Sequence, residues 1–396
     1  MGAGADSPPP RGEGAGGGGK PASDGFVGEN HGDRIRRREP PSPQGGGEDL
    51  TEPLTDQVRR AAKAHAPLRI VGGDTKAFYG RQTQGDPLSL AGHRGIVDYD
   101  PSELVITARA GTRLSDIEAR LEAHGQRLAF EPPRFGAEST IGGVVAAGLA
   151  GPRRPFAGAV RDCVLGVKIL DGRGRVLRFG GQVFKNVAGF DAFRLMAGAL
   201  GCLGVILEVS LRVTPKPRRE VALALEMDHG AARTWLGELM RRPVPLSGAY
   251  HEAGRLHLRL AGGEAGVAAM AAELGGEDEP MAFWDVVRDR RRAGLAGDGP
   301  LWRLTLPQTA PIPALGDIVA WDWAGALIWM RSGESADEVW RAAAGAGGHA
   351  TLFRGARPGE EVFQPLAPAM LALHRRLKAA LDPAGVLNPG RMYGAL

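Results

Sequence analysis

Six residues carry the first chemical signal: Val71-Gly72-Gly73-Asp74-Thr75-Lys76, at the end of the strand-like run "LRIV". Successive glycine-rich turn residues bare the main chain, and their N–H groups can converge on an anion. Gly72 and Gly73 also permit positive φ and let a ligand touch the backbone. Thr75 adds a hydroxyl donor and Lys76 a cation, so the group suits a pyrophosphate. An ordinary strand-ending turn is the reading these six residues favour when taken alone, because short glycine motifs are common. A second stretch, Thr140-Ile141-Gly142-Gly143 with Ala146, Ala147, Gly148 and Gly151, consists almost wholly of small residues. A helix of that composition exposes backbone, and its N-terminus favours a diphosphate. Tight helix-to-sheet packing demands the same small residues.

Neither stretch has the dinucleotide pattern G-x-G-x-x-G with an acidic residue about 20 positions on. Neither is a GxxxxGK[ST] loop. Gly198, Gly201 and Gly204 have the x-x spacing but precede a strand. A conventional NAD site or P-loop is therefore not expected. His251 and His257 flank a hairpin turn, and two ligands without a third make a poor metal site, so no metal is expected. His349 and Arg354, in "GHATLFRG", are the types needed to take a hydroxyl proton and to hold a carboxylate. Structural hydrogen bonds or a partner contact are their other reading. The basic run "RDRRR", Arg288 to Arg292, stands near Trp284, Trp302, Trp321, Trp323 and Trp329. A solvated face and a core are the ordinary explanations; a surface for an acidic partner or anionic lipid is the sharper one.

Several elements must position these groups. Leu54, Val58 and Ala62 recur at helical spacing before Pro67. "GIVDYD" and "LVITARAG" read as strands. Leu114, Ile117 and Leu121 share a helix face, with Asp116 placed to pair with Arg120 and Gly125 as the stop. "VLGVKILDGRGRVLRFGG" reads as a hairpin, "AFRLMAGALG" as a short helix, and "GVILEVSLRV" as a strand with Val205, Leu207, Val209, Leu211 and Val213 on one face. "TPKPRR" breaks the pattern. From 218 to 353, strands and helices alternate as in a sheet covered on one face by helices. A last helix carries the stripe Leu366, Met370, Leu373, Leu377 and Leu381.

The chain of 396 residues has room for two or three domains, and 43% hydrophobic with 24% charged residues describes a soluble, globular bulk. A net charge of +4 over this length gives no argument for nucleic acid. No apolar run reaches the ~18 residues of a membrane span, so membrane contact would be peripheral or through a partner. Two cysteines, Cys163 and Cys202, exclude a disulfide framework and a self-contained four-cysteine iron–sulfur cluster. A cytoplasmic setting follows. Residues 1–50 hold 14 Gly and 7 Pro and read as a disordered low-complexity tail, or as the product of a start site assigned upstream. "RIRRRE" lacks the apolar stretch of a twin-arginine signal.

Residues 68–217 resemble the flavin-binding domain of the vanillyl-alcohol oxidase or p-cresol methylhydroxylase (PCMH) type. The carrying motifs are "RIVGGDTKAFYGR", "FEPPRFGAESTIGGVVAAGLAGPRRPFAGAVRDCVLGVKIL", "FGGQVFKNVAGFDAFRLMAGALGCLGVI" and "LDPAGVLNPGRMY". "LAGPRRP", "KNVAGFD" and "GHATLFR" narrow the likeness to the FAD-binding subunits of bacterial glycolate oxidases. The resemblance covers about 51–396. It implies an α+β chain: a PCMH-type FAD domain at 51–217, with subdomains of about 51–130 and 131–217. A smaller α+β cap would occupy 218–353, and a segment at 354–396 would return to the flavin domain. It implies that Gly72, Gly73, Asp74, Thr75 and Lys76 hold the FAD pyrophosphate. Thr140, Ile141, Gly142, Gly143 and Gly148 would lie along the flavin and ribityl chain, and Val205 or Ile206 by the adenine or ring edge. Some members bond flavin to a histidine near the first loop; here Ala77, Phe78 and Tyr79 stand there, so non-covalent FAD is implied. The "HGDGN-x-H" metal motif of related hydroxyacid dehydrogenases is missing. The implied activity is oxidation of glycolate, a small 2-hydroxyacid, to glyoxylate. The implied partners are a sister FAD-containing subunit and an iron–sulfur subunit. A stand-alone hydroxyacid or sugar dehydrogenase, and an assembly subunit with a vestigial flavin site, are the competing expectations.

Overall fold

The computed structural model describes residues 47–181 and 191–396. The tail as far as residue 46, its arginine-rich run, and "KNVAGF" at 185–190 lie outside the described residues.

Thr51–Ala64 forms the first helix and buries Leu54, Val58 and Ala61 on one side. Leu68–Val71 follows and pairs in parallel with Asp86–Ser89, which delivers the glycine run to a strand end. A five-stranded antiparallel sheet runs in the order Ile96–Asp100, Val105–Arg109, Val205–Arg212, Val164–Leu170, Val176–Gly180. The last two strands are the hairpin read around Asp171-Gly172. The central strand is buried on both faces, not one: Ile206, Glu208 and Ser210 are buried as well as Val205 and Leu207, though less completely. Helix Leu114–Glu122 buries Leu114, Ile117 and Leu121 as its spacing predicts. The expected Asp116–Arg120 pair is not among the described ion pairs. Arg120 instead lies 5.4 Å over the Tyr99 ring, a contact that competes well with a solvent-screened pair.

Residues 219–354 build an eight-stranded antiparallel sheet, ordered Glu277–Glu279, Arg219–Glu226, Arg255–Gly262, Leu246–Glu252, Asp317–Asp322, Leu327–Arg331, Leu301–Thr305, His349–Arg354. Helices His229–Leu239, Glu264–Leu274 and Ala336–Gly345 cover one face through Leu236, Val267, Val339 and Trp340. On the other face Trp284, Trp323, Trp329 and Phe353 pack with Tyr79, Ala147, Leu149 and Leu200. The five tryptophans are core, none more than 3% exposed, which corrects the interface expectation. The basic run is likewise mostly internal. Arg288 meets Asp285 and Asp289, Arg290 meets Asp322 at 2.8 Å, and Arg292 meets Glu252. Only Arg291 projects into water.

The final helix, Pro368–Leu381, departs from its sequence pattern. Met370 and Leu373 are 46% and 54% exposed, and Lys378 is the one buried residue of that helix. Its ammonium donates to Cys202 O at 2.8 Å and Leu387 O at 2.7 Å and meets Asp382 Oδ2 at 2.7 Å. Asp382 in turn accepts from the N–H groups of Val386 and Leu387. Of the leucine stripe Leu381 packs on the core, and this buried pair, with Val386 and Leu387 enclosed beside it, ties the C-terminal segment down. Removing one partner strands the other charge. Asp382→Ala is expected to cost about 3–5 kcal/mol, read by thermal or urea unfolding. A loss below about 1 kcal/mol would show that the pair does not hold the segment.

Candidate cofactor cleft

The two small-residue loops meet. A Cβ built on Gly72 would fall 2.5 Å from Thr140 Oγ1, and one on Gly73 only 1.5 Å from Glu138 O. Lys76 Nζ donates to Ser139 Oγ at 2.7 Å and to Arg134 O at 3.3 Å. Beside this junction opens a cleft of about 880 Å³. Of the residues singled out in the sequence, Gly72, Gly73, Asp74, Thr75, Lys76, Thr140, Gly142, Gly143 and Ile206 line it. Ile141 and Val205 do not; both are fully enclosed in the core. Gly148 does not line it either. It ends its helix at φ 64° and packs on Gly198, where a Cβ would come within 2.9 Å of Gly198 Cα.

Two expectations are corrected here. Gly72 and Gly73 do not use positive φ; Asp74 does, at 53°, with its carboxylate 3.1 Å from Arg69. The glycines are required by the close approach of Glu138 and Thr140. The N-terminus of helix Ile141–Ala147 is not an open anion seat. Ile141 N donates to Thr112 O, Gly142 N to Ala110 O, and Gly143 N to Thr140 Oγ1. The free donors lie in the first loop instead. The N–H groups of Gly73, Asp74, Thr75 and Lys76 find no acceptor among the described residues. Burial pushes the Lys76 ammonium down to about 8, with Asp289 pulling weakly the other way. No carboxylate reaches Lys76 at ion-pair distance among the described residues. Four unused N–H groups and an uncompensated cation at one wall suit a diphosphate. Leu90, Ala110 and Ile206 supply apolar cover for an attached planar group.

Two positioning residues come from the far end of the chain. Asn388 accepts from Ile70 N through Oδ1 and donates from Nδ2 to Leu200 O, both at 2.7 Å. Arg391 donates to the carbonyls of Lys76, Ala77 and Tyr79 at 3.1, 2.9 and 2.8 Å. Both line the cleft. The motif "LNPGRMY" was visible, but nothing local announced that its Asn and Arg brace a loop some 300 residues earlier.

A second cavity, about 1110 Å³, adjoins the first at Thr75 and is lined by Phe78, Phe135 and four arginines. Arg134 is engaged by Glu118 and Arg290 by Asp322. Arg354 has no carboxylate among the described residues; its guanidinium lies 5.4 Å from the Phe78 centroid and donates to Leu295 O at 3.4 Å. His349 does not join it. The two begin and end one strand, roughly 17 Å apart at ~3.4 Å per residue, so they do not converge on one small substrate. His251 and His257 are structural. His251 stacks on Trp321 at 5.3 Å and bonds Met227 O, and His257 bonds Glu279. No metal-holding group of three is found among the described residues. No helix among them is long and apolar enough to cross a membrane.

Residues 51–180 match the family model of an FAD binding domain, and 354–392 that of the C-terminal domain of FAD linked oxidases. The fold superposes on alkyldihydroxyacetonephosphate synthase with a TM-score of 0.59 at 14% identity, over 85% of this chain and 74% of that one, a likeness of fold alone. Fold, cleft and family models together define an FAD-dependent oxidoreductase. Glycolate oxidase subunit GlcE of Escherichia coli K12 is 47% identical over 88% of this chain and 99% of its own length, and the chain belongs to that family. Glycolate oxidase subunit GlcD of Bacillus subtilis is 29% identical over 48% of this chain and 42% of its own. A D-lactate dehydrogenase of Anaerostipes hadrus is 30% identical over 45% and 38%.

Proposed function

We propose that this chain is the FAD-carrying subunit of a complex that oxidises glycolate to glyoxylate and passes the electrons to partner subunits. The partners are a sister flavoprotein and an iron–sulfur subunit, in the cytoplasm or held at the inner membrane through the complex. Residues 51–217 serve as the flavin domain, 218–353 as the cap, and 354–396 as a return segment. Bound FAD supplies a hydride acceptor for a carbon bearing a hydroxyl. The chain's own residues bind and orient it. The N–H groups of Gly73 to Lys76 and the Lys76 ammonium hold the diphosphate, Gly143 and Ile206 leave room beside it, and Asn388 with Arg391 keeps the loop in place. Ala77, Phe78 and Tyr79 offer no histidine for a covalent bond, so the flavin is dissociable.

The observation that carries this reading is the uncompensated donor set at Gly73–Lys76. The test is the absorption spectrum of the purified chain before and after acid precipitation. Flavin colour released to the supernatant is the expected result. A folded, colourless protein that takes up no added FAD would overturn it, and colour retained in the pellet would overturn the non-covalent assignment.

A further inference from the structure

The turn Gly151-Pro152-Arg153-Arg154-Pro155 contains two arginines with different fates. Arg153 is consumed: it bonds Glu131 at 2.7 Å and also meets Glu220. Arg259 reaches the same Glu131 at 2.8 Å. Burial works to raise the Glu131 carboxyl, but Arg259 and Arg153 outweigh it and hold it at about 2. Arg154 has no ion pair or side-chain hydrogen bond among the described residues. Its guanidinium sits 4.3 Å from the Trp323 ring centroid. Arg303, from the strand Leu301–Thr305, sits 4.9 Å from the same centroid and likewise lacks an ion pair or side-chain hydrogen bond among the described residues. Asp322, the carboxylate acting on Arg303 through space, is tied to Arg290 at 2.8 Å.

Strand register brings further polar groups to this place. Arg303 pairs with Thr351, and Thr305 with His349, so Arg303, Thr305 and His349 share one sheet face. Thr305 Oγ1 is buried with no hydrogen-bond partner among the described residues. His349 is exposed, and Arg154 and Arg303 are half-buried, so the cluster is open to water on one side. Partial desolvation first, then Arg303 and Arg154, press the His349 imidazole toward its neutral form. Two guanidinium groups on one indole repel each other and lose hydration; the Trp323 ring, with Asp322 and Asp162 acting through space, offsets part of that cost, but no carboxylate among the described residues pairs with either group directly. Tyr79, three residues past Lys76, lies in the same apolar layer as Trp323, which connects the cluster to the cofactor loop.

We propose that Arg154, Arg303, Thr305 and His349 form a binding site for the carboxylate of a small organic acid, floored by Trp323. Paired guanidinium forks with a hydroxyl beside them are a donor set matched to a carboxylate. That the acid is a 2-hydroxyacid or its 2-oxoacid product rests on the function proposed above; the site itself stands on residues outside the flavin cleft. The test is calorimetric titration of the purified full chain with glycolate and, separately, with inorganic phosphate. Wild type is expected to bind glycolate. Arg303→Gln and Arg154→Gln should each weaken it about tenfold or more. Arg303→Lys should fall between, because the charge is kept and the fork lost. Arg357→Gln, at a well-exposed position, should bind as wild type does. Circular dichroism and flavin content should stay unchanged in all four variants. Absence of glycolate binding, wild-type affinity in either Gln variant, or phosphate binding that matches and displaces glycolate would each overturn the site. Glycolate binding to a flavin-free chain would leave the site standing and remove the cofactor reading; the converse result would do the reverse.

Discussion

Gly73→Ala is expected to lose both FAD and much of the protein's stability, whereas Gly143→Leu should lose FAD alone. The two glycines line the same cleft but are small for different reasons. A Cβ on Gly73 would lie 1.5 Å from Glu138 O, a backbone atom, so the two loops must separate. Such a displacement of packed main chain is expected to cost about 3–5 kcal/mol. On Gly143 the one protein atom near a Cβ is Thr140 Oγ1, at 3.3 Å. The remaining space is the cleft. Gly143 is in a helix, where replacing glycine with leucine gains somewhat under about 1 kcal/mol. The Gly143→Leu apoprotein should therefore melt at or above the wild-type temperature while binding FAD about a hundredfold more weakly, ~3 kcal/mol. Flavin per polypeptide and apoprotein melting temperature are the two measurements. Full flavin content in Gly143→Leu would show that the cofactor does not lie against this helix.

Lys76→Met should stabilise the apoprotein at neutral pH and weaken FAD at the same time. The Lys76 ammonium is pushed from 10.5 to about 8 mainly by burial. Its charged form is therefore disfavoured in the folded apoprotein, a cost of roughly 3 kcal/mol at most. That cost is fully present below pH 8. It disappears as pH rises from about 8 to 10.5, because the unfolded chain then binds more protons than the folded one. Apoprotein stability from this group should thus climb across that window, and the climb should be missing in Lys76→Met. A bound diphosphate compensates the ammonium, so binding above pH 8 requires proton uptake. FAD affinity should then fall toward about tenfold per pH unit. A pH-independent affinity in wild type, or unchanged affinity in Lys76→Met, would show that the ammonium does not face the diphosphate.

What the sequence determined by itself was local. Periods of 3.6 and 2 placed helices Thr51–Ala64 and Leu114–Glu122 and the hairpin around Asp171-Gly172. Clustered small residues marked both loops of the cleft, because bare backbone is a property of composition. What each small residue serves was decided only by the tertiary structure. Gly73 is small for Glu138, Gly142 for Ala110, and Gly143 for the cleft. The strained residue is Asp74 rather than a glycine, and the helix N-terminus spends its donors on Ala110, Thr112 and Thr140. Asn388, Arg391, Lys378 and the Arg154–Trp323–Arg303 cluster gain their roles from partners that are remote along the chain. The physical reason is the same in each case. Whether a polar group is satisfied, and whether a Cβ has room, depends on atoms that only folding brings within a few ångströms.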